Sequence, residues 1–213
     1  ASPEQIFYTV AEQTKGIAML TSSGTFPYTP WFAMSIGVTQ NSQDVWVQKL
    51  PHLQSISSSI EIGKNESSVS PFEKTVSYSV EEGRSAVENA TGLTLSSNPA
   101  NWFVIQSYNQ KVNYNGRQIG YVGQILIDGQ KIVTGRYVRE TIFKSFNGKR
   151  FRSPAFDNPV YNSSAGTISF TTYGYGHGCG MSQFGAKLYA AQGWSYQQIL
   201  SHYYPGLRIE QVQ

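Results

Sequence analysis

Residues 112–138 read VNYNGRQIGYVGQILIDGQKIVTGRYV. Apolar and polar residues alternate through much of this stretch, the period that lines one face of a strand. Asn115-Gly116 and Asp128-Gly129 interrupt the alternation. Each pair suits a type I′ turn, where two successive residues take positive φ. Gln124 to Ile127 and Lys131 to Thr134 then read as the arms of a hairpin. β structure is expected from Trp102 to Tyr137, and Arg136 and Arg139, three apart on a strand, would face opposite sides. A further turn is expected at Asn147-Gly148.

On the N-terminal side, residues 5–35 read as short strands joined by turns. Residues 36–58, IGVTQNSQDVWVQKLPHLQSISS, read as a long polar loop that Trp46, Leu50 and Leu53 anchor in an ordered form. EIGKNESSVSPFEKT, residues 61–75, is the expected flexible connection. Ser79-Val-Glu-Glu82 has capping-box spacing and Gly92 can close the helix that follows, although Gly83 weakens it. The fold class is therefore α+β. It is expected to be a β-rich mixed body with hairpins and a C-terminal pair of short helices. Residues 1–213 are read as a single domain, with a β/helix subdomain insertion at about 60–130.

With 213 residues, 39% hydrophobic, the chain can bury a core without disulfides, and its single Cys179 could form none within the chain. A net charge of +3 is too mild for a phosphate-backbone stripe, so nucleic acid is not an expected partner. No apolar run is long enough to span a bilayer. The opening ASPEQIFYTV carries neither an initiator Met nor a leader, so a processed product or a piece of a longer chain is expected. Low charge with abundant Ser, Thr, Asn, Gln and Tyr leans towards an extracytoplasmic protein that handles a polar neutral ligand such as a glycan.

Chemistry concentrates in residues 174–206, GYGHGCGMSQFGAKLYAAQGWSYQQILSHYYPG. Gly174, Gly176, Gly178 and Gly180 remove every second side chain, which would let backbone and substrate approach closely around His177. Ser182 fits a helix N-cap and Gly193 a stop; Ser195-Tyr-Gln-Gln198 is a second capping box, ended by Pro205-Gly206. A glycine-rich turn feeding a helix N-terminus aims N–H groups at one spot that would suit an anion, and Ser182 and Gln183 could add hydrogen bonds to a sugar. The alternative is a tight strand-to-helix turn in which His177 merely caps backbone groups. His177 with Cys179 also permits a Cys/His nucleophile, hence a Cys-dependent peptidase, though a free Cys is usually a small buried hydrophobe. Zinc would need three or four N/S ligands, and His52 and His202 are the other imidazoles, so neither metal nor other cofactor is expected. Trp31, Trp46 and Trp194 could stack on sugar rings or fill the core. Glu140 is a weaker carboxylate candidate.

The run Gly176-His177-Gly178-x-Gly180-Met181-Ser182-Gln183-x-Gly185-Ala186, then Ala191-Gln192-Gly193, Ile199-Leu200 and His202-Tyr203-Tyr204-Pro205-Gly206, resembles the C-terminal signature of the SpoIID/LytB family. That family comprises the stage II sporulation protein D and the amidase enhancers. Ser35-x-Gly37-x-Thr39-x-Asn41-Ser42-x-Asp44-Val45-Trp46 and Leu50-Pro51-x-Leu53-Gln54-Ser55 resemble its upstream landmark, and Gly135-Arg136, Arg139 and Arg152-Ser153 fit the region between. The likeness runs in order from about Thr14 to the end.

The resemblance implies an extracytoplasmic bacterial protein acting on peptidoglycan. Its sporulation member is a lytic transglycosylase that cuts glycan strands lacking stem peptides and leaves a 1,6-anhydro-muramic acid end. The alternative is a non-catalytic wall-binding enhancer of an N-acetylmuramoyl-L-alanine amidase. On this reading His177, Ser182 and Gln183 support catalysis, while Ser35, Thr39, Asn41, Trp46, Arg139, Gly176, Gly178 and Gly180 bind substrate. The family's catalytic glutamate lies in an N-terminal helical segment without a counterpart here, so the general acid is expected from a separate chain or segment. Glu12 sits where the family continues as strand and is not given that role. Sporulation and vegetative growth stay open as settings. Some relatives hold zinc with His and Cys that Ala33-Met34-Ser35 lacks.

Overall fold

The computed structural model describes residues 2–67, 70–144 and 148–212. The first element is a helix, α1 (Pro3–Gln13), where strands were expected. Ser2 Oγ accepts from the Gln5 N–H and the Gln5 side chain accepts from the Ser2 N–H, a capping box with Pro3 in the first turn. None of the α1 residues is buried, so local capping rather than packing decides this segment. Glu12 accordingly lies on a helix.

β1 (Ile17–Leu20) and β2 (Trp31–Phe32) are short. The polar stretch after them is ordered, with α2 at Ser42–Val45 and a 3-10 turn at Ser59–Glu61. β3 (Glu73–Ser79) runs straight into α3 (Val80–Thr91). Ser79 and Glu82 form the expected capping box, and Gly92 closes the helix at φ 73°. Gly83 is buried in α3, where a Cβ would make an ordinary van der Waals contact with Ile168 Cδ1 at 3.4 Å, so the packing does not require glycine.

β4 (Phe103–Tyr114), β5 (Arg117–Ile127) and β6 (Lys131–Val133) form an antiparallel meander. Its turns carry positive φ at both central residues: Asn115 50° and Gly116 79°, then Asp128 47° and Gly129 69°. Both hairpins thus follow from the turn chemistry. The strand reading fails beyond Val133. Thr134 Oγ1 accepts from the Tyr137 N–H and starts α4 (Gly135–Tyr137), which continues as a π-helical turn, Val138–Ile142. Arg136 and Arg139 are therefore helical, and both reach Glu140. In the expected turn at Asn147-Gly148, Asn147 lies outside the described residues and Gly148 has φ 72°.

β7 (Val160–Asn162), β8 (Thr167–Tyr173) and β9 (Met181–Ser182) follow, then α5 (Gln183–Ala191), α6 (Tyr196–Tyr203) and β10 (Arg208–Gln211). Small sheets result, ordered β3-β8-β7, β4-β5-β6, β2-β9 and β1-β10; β2 and β9 run parallel. The fold is α+β, and the two expected short helices stand near its C-terminal end, followed by β10. β3 pairs with β8 from Glu73↔Tyr173 to Ser79↔Thr167, and Tyr78 and Trp102 share one core with Phe143, Phe151 and Phe170. A second core joins Met34, Tyr121, Tyr173 and Phe184, and a third packs Leu53, Cys179, Tyr203 and Tyr204. Among the described residues no helix is long and apolar enough to cross a membrane.

Candidate functional site

The glycines of residues 174–180 all have positive φ, between 66° and 112°. L-residues avoid that region, so the turn depends on them. The space their missing side chains leave is occupied by the protein itself. A Cβ at Gly176 would lie 2.7 Å from Phe32 Cβ, at Gly178 2.7 Å from the Tyr121 ring, and at Gly180 2.0 Å from the Pro30 carbonyl oxygen. This corrects the expectation that Gly176, Gly178 and Gly180 present a bare face to substrate. They let residues 30–34 and Tyr121 close on the turn.

Behind the turn lies a carboxylate that no motif disclosed. Glu61 is fully buried, although it opens the stretch read as a flexible connection. Its Oε1 accepts from Ser35 Oγ at 2.5 Å and Ser58 Oγ at 2.7 Å. Its Oε2 accepts from Ser182 Oγ at 2.6 Å and the Ser35 N–H at 3.0 Å. Each serine oxygen is itself satisfied, by the Gly37 N–H, the Tyr203 hydroxyl and the Gly185 N–H respectively. Four donors converging on a carboxylate offset much of its desolvation. The hub joins the start of the polar loop, the 3-10 turn and the N-terminus of α5. Ser35, expected to bind substrate, and Ser182, expected to support catalysis, are fully buried and spend their hydroxyls on Glu61.

Thr39 is also corrected: it is 1% exposed and its Oγ1 accepts from the Ile56 N–H. Asn41 donates to Asp44 at 2.7 Å and accepts from the Ser55 N–H, so both ends of its amide shape the loop. Gln40 brings this loop onto the glycine turn; its side chain donates to the His177 carbonyl at 2.8 Å and its N–H to the Gly178 carbonyl at 2.7 Å.

His177 is half-buried. Its Nδ1 accepts from the Cys179 N–H at 3.2 Å, which leaves Nε2 to carry the proton and donate to the Trp31 carbonyl at 3.1 Å. The imidazole thus caps backbone on both sides and is neutral. Burial, and then the Arg139 charge, hold its pKa below the ordinary value. The sign follows from linkage. An unfolded His takes up a proton below about pH 6.5, whereas the folded one resists, so its stabilising effect is complete above that pH and declines as pH falls towards the lowered folded value. Melting curves should lose stability as pH falls below about 6.5, and His177→Phe should flatten that dependence. An unchanged pH slope in the variant would refute the assignment.

Beside His177 the molecule presents an aromatic surface. The Trp46 ring lies 5.3 Å from the imidazole centroid, and Tyr28 packs edge-on to Trp46 at 5.6 Å. Tyr28 and Trp31 are 60% and 59% exposed. The sequence FPYTPW, residues 26–31, signalled these exposed rings, but only Trp31 was singled out from it. Trp194 instead stacks on Tyr189 at 4.4 Å in the third cluster. On the charged side, Glu140 accepts from Arg136 Nε and Arg139 Nη1, each at 2.7 Å. Arg139, Glu140, Lys144 and Arg150 line an open cleft of about 550 Å³. Of the expected site residues, His177 and Trp46 pack together, and Arg139 lies close enough for its charge to act on the imidazole. Gln183 is exposed in the first turn of α5.

Cys179 is fully buried, and burial pushes its thiol up to about 12. Thiolate chemistry needs the opposite environment, so the Cys/His nucleophile is excluded. Among the described residues no three of His, Cys, Asp and Glu cluster as metal ligands.

Sequence comparison supports the SpoIID/LytB family read from the motifs. In particular, the stage II sporulation protein D of Bacillus amyloliquefaciens is 29% identical over 194 residues, which cover 85% of this chain and 44% of that protein. The protein of the same name from Bacillus subtilis (strain 168) is 27% identical, over 85% of this chain and 45% of its own length. An amidase enhancer of Bacillus subtilis (strain 168) is 25% identical, over 93% of this chain and 32% of its own. The chain spans less than half the length of these relatives. No protein-family model matches it.

Proposed function

We propose that this chain forms the saccharide-gripping part of a lytic transglycosylase acting on peptide-free glycan strands of peptidoglycan, in the bacterial envelope outside the cytoplasm. The observation that supports it is the aromatic pair Tyr28 and Trp46 beside His177, whose imidazole also feels the charges of Arg139 and Glu140 from the neighbouring cleft. Flat rings beside fixed charges suit a pyranose, which stacks with one face and hydrogen-bonds at its rim. His177 holds that surface rigid through Trp31 and Cys179. Trp46 stacks on a sugar and Arg139 orients its polar edge.

In the reaction a carboxylic acid protonates the glycosidic oxygen as the bond to the anomeric carbon breaks. The 6-hydroxyl of the same muramic acid then attacks that carbon and gives its proton to the carboxylate. Water is not consumed. Both oxygens of Glu140 are held by arginines and Glu61 is sealed within four donors, so neither carboxylate is free to meet a glycosidic oxygen. The acid is proposed to come from a segment outside these 213 residues. Amidase stimulation is the second reading, supported by similarity to the amidase enhancer over 93% of this chain.

Peptide-free glycan strands incubated with the protein expressed from its complete gene should release anhydro-muramic ends, lighter by one water than hydrolysis products on mass spectrometry. Trp46→Ala should weaken strand binding roughly tenfold, the loss of a stacking contact of about 1 kcal/mol or slightly more. Reducing muramic acid ends would identify a hydrolase instead. Binding without cleavage, together with faster turnover by an added N-acetylmuramoyl-L-alanine amidase, would establish the enhancer reading.

A further inference from the structure

On the far side of Tyr175 from the turn's interior packing lies a second cleft, of about 330 Å³. Lys74, Thr75 and Val76 of β3 form one wall, and Lys149, Arg150, Arg152 and Tyr175 form much of the rest. Arg152 is 5% exposed. Its Nη1 donates to the Pro71 carbonyl at 2.9 Å, and its guanidinium carbon lies 4.7 Å from the Tyr175 ring centroid. Its Nη2 is buried and has no hydrogen-bond partner among the described residues. Among those residues no carboxylate pairs with Arg152 either. Arg150 donates to the Tyr175 hydroxyl, and Lys149 is paired with Glu82 at 2.6 Å. The cleft therefore holds the charges of Lys74, Arg150 and Arg152 against no acid of its own.

A buried guanidinium without an anion is costly, and a buried N–H left unpaired adds to the cost. Proteins keep such groups where a ligand completes them, and the planar fork of arginine matches a carboxylate in particular. We infer that this cleft binds the free lactyl carboxylate of a peptide-free muramic acid, seated on Arg150 and Lys74 and completing the unpaired donor of Arg152. The inference rests on the proposed saccharide function and deepens it. Arg150 also lines the Arg139–Glu140 cleft, so the carboxylate site adjoins the surface around His177. A stem peptide converts that same lactyl carboxylate into an amide, which is neutral and cannot accept from the arginine in the same way. The cleft would thus read whether a strand has been stripped.

The test compares two muramic-acid-containing tetrasaccharides by calorimetric titration, one with free lactyl carboxylates and one with those groups capped as simple amides. The free acid should bind at least tenfold more tightly, and the preference should shrink with added salt. Lys74→Ala with Arg150→Ala should remove most of the preference, read as the ratio of the two affinities. Arg152→Met should abolish it; if that variant fails to fold, the surface double variant decides alone. Equal affinity for both sugars would overturn the carboxylate site and leave the saccharide reading standing. Binding of neither sugar would overturn both.

Discussion

Replacing Glu61 by Ala will lower the unfolding free energy by about 3 kcal/mol or more, since each buried donor left without its acceptor costs about 1–3 kcal/mol. In a domain of this size that corresponds to a fall in melting temperature of roughly 10 °C or more. The reason is the bookkeeping of donors. Three serine hydroxyls and the Ser35 N–H all point at one carboxylate, inside a site that water does not reach. Alanine strands them together. Glu61→Gln separates the hydrogen-bonding loss from the loss of volume. Because the Ser35 N–H cannot become an acceptor, the amide oxygen must stay on its side and the amide nitrogen must face Ser35 and Ser58. Ser58 can accept and turn its own proton to Tyr203, whereas Ser35 already accepts from Gly37. Two hydroxyl protons, that of Ser35 and one of the Ser58–Tyr203 pair, then lose their acceptor, at a cost of about 1–3 kcal/mol each. Urea unfolding should rank wild type above Gln and Gln above Ala. An Ala variant within measurement error of wild type would show that the hub is not what joins these segments.

Gly185→Ala should destabilise by about 2–4 kcal/mol, the sum expected for overpacking and a broken buried hydrogen bond. The sign is the interesting part, since Ala is normally the better helix former by about 1 kcal/mol. Gly185 sits in the first turn of α5, and a Cβ there would lie 2.1 Å from the Tyr203 hydroxyl and 2.7 Å from Glu61 Oε1. Either α5 lifts away or Tyr203 gives up its bond to Ser58. Tyr203→Phe removes the hydroxyl that the methyl would strike. The double variant should therefore be more stable than the two single losses added together, a coupling that equilibrium unfolding can measure. Strict additivity would mean that the contact is not the cause.

What was readable in this sequence was local. Ser79 with Glu82, Ser195 with Gln198, and the Asn-Gly and Asp-Gly turns act over three or four residues, and each appears where expected. Ser2 with Gln5 carried the same signature behind a weak alternation, and the cap prevailed because α1 has no packed face. What was not readable was long-range complementarity. The spaced glycines of 174–180 looked like room for a ligand because Pro30, Phe32 and Tyr121, which fill that room, lie far away in the chain. Glu61 looked like one acid in a polar run because its partners come from Ser35, Ser58 and Ser182. The π-helical turn that turns Arg139 and Arg136 onto one carboxylate has no sequence signature of its own. The glycines around His177 and the position of Trp46 in its motif mark those two residues in the sequence. Tyr28 is not marked, since an exposed ring leaves no periodic trace.

β1 and β10 zip Leu20 against Arg208 and Ile17 against Gln211. That ladder closes a loop containing nearly all the described chain, and a contact of such span is entropically expensive until everything between has condensed. The two strands are thus a final clasp. Until they pair, each strand leaves a bare backbone edge of the kind that recruits a neighbouring chain.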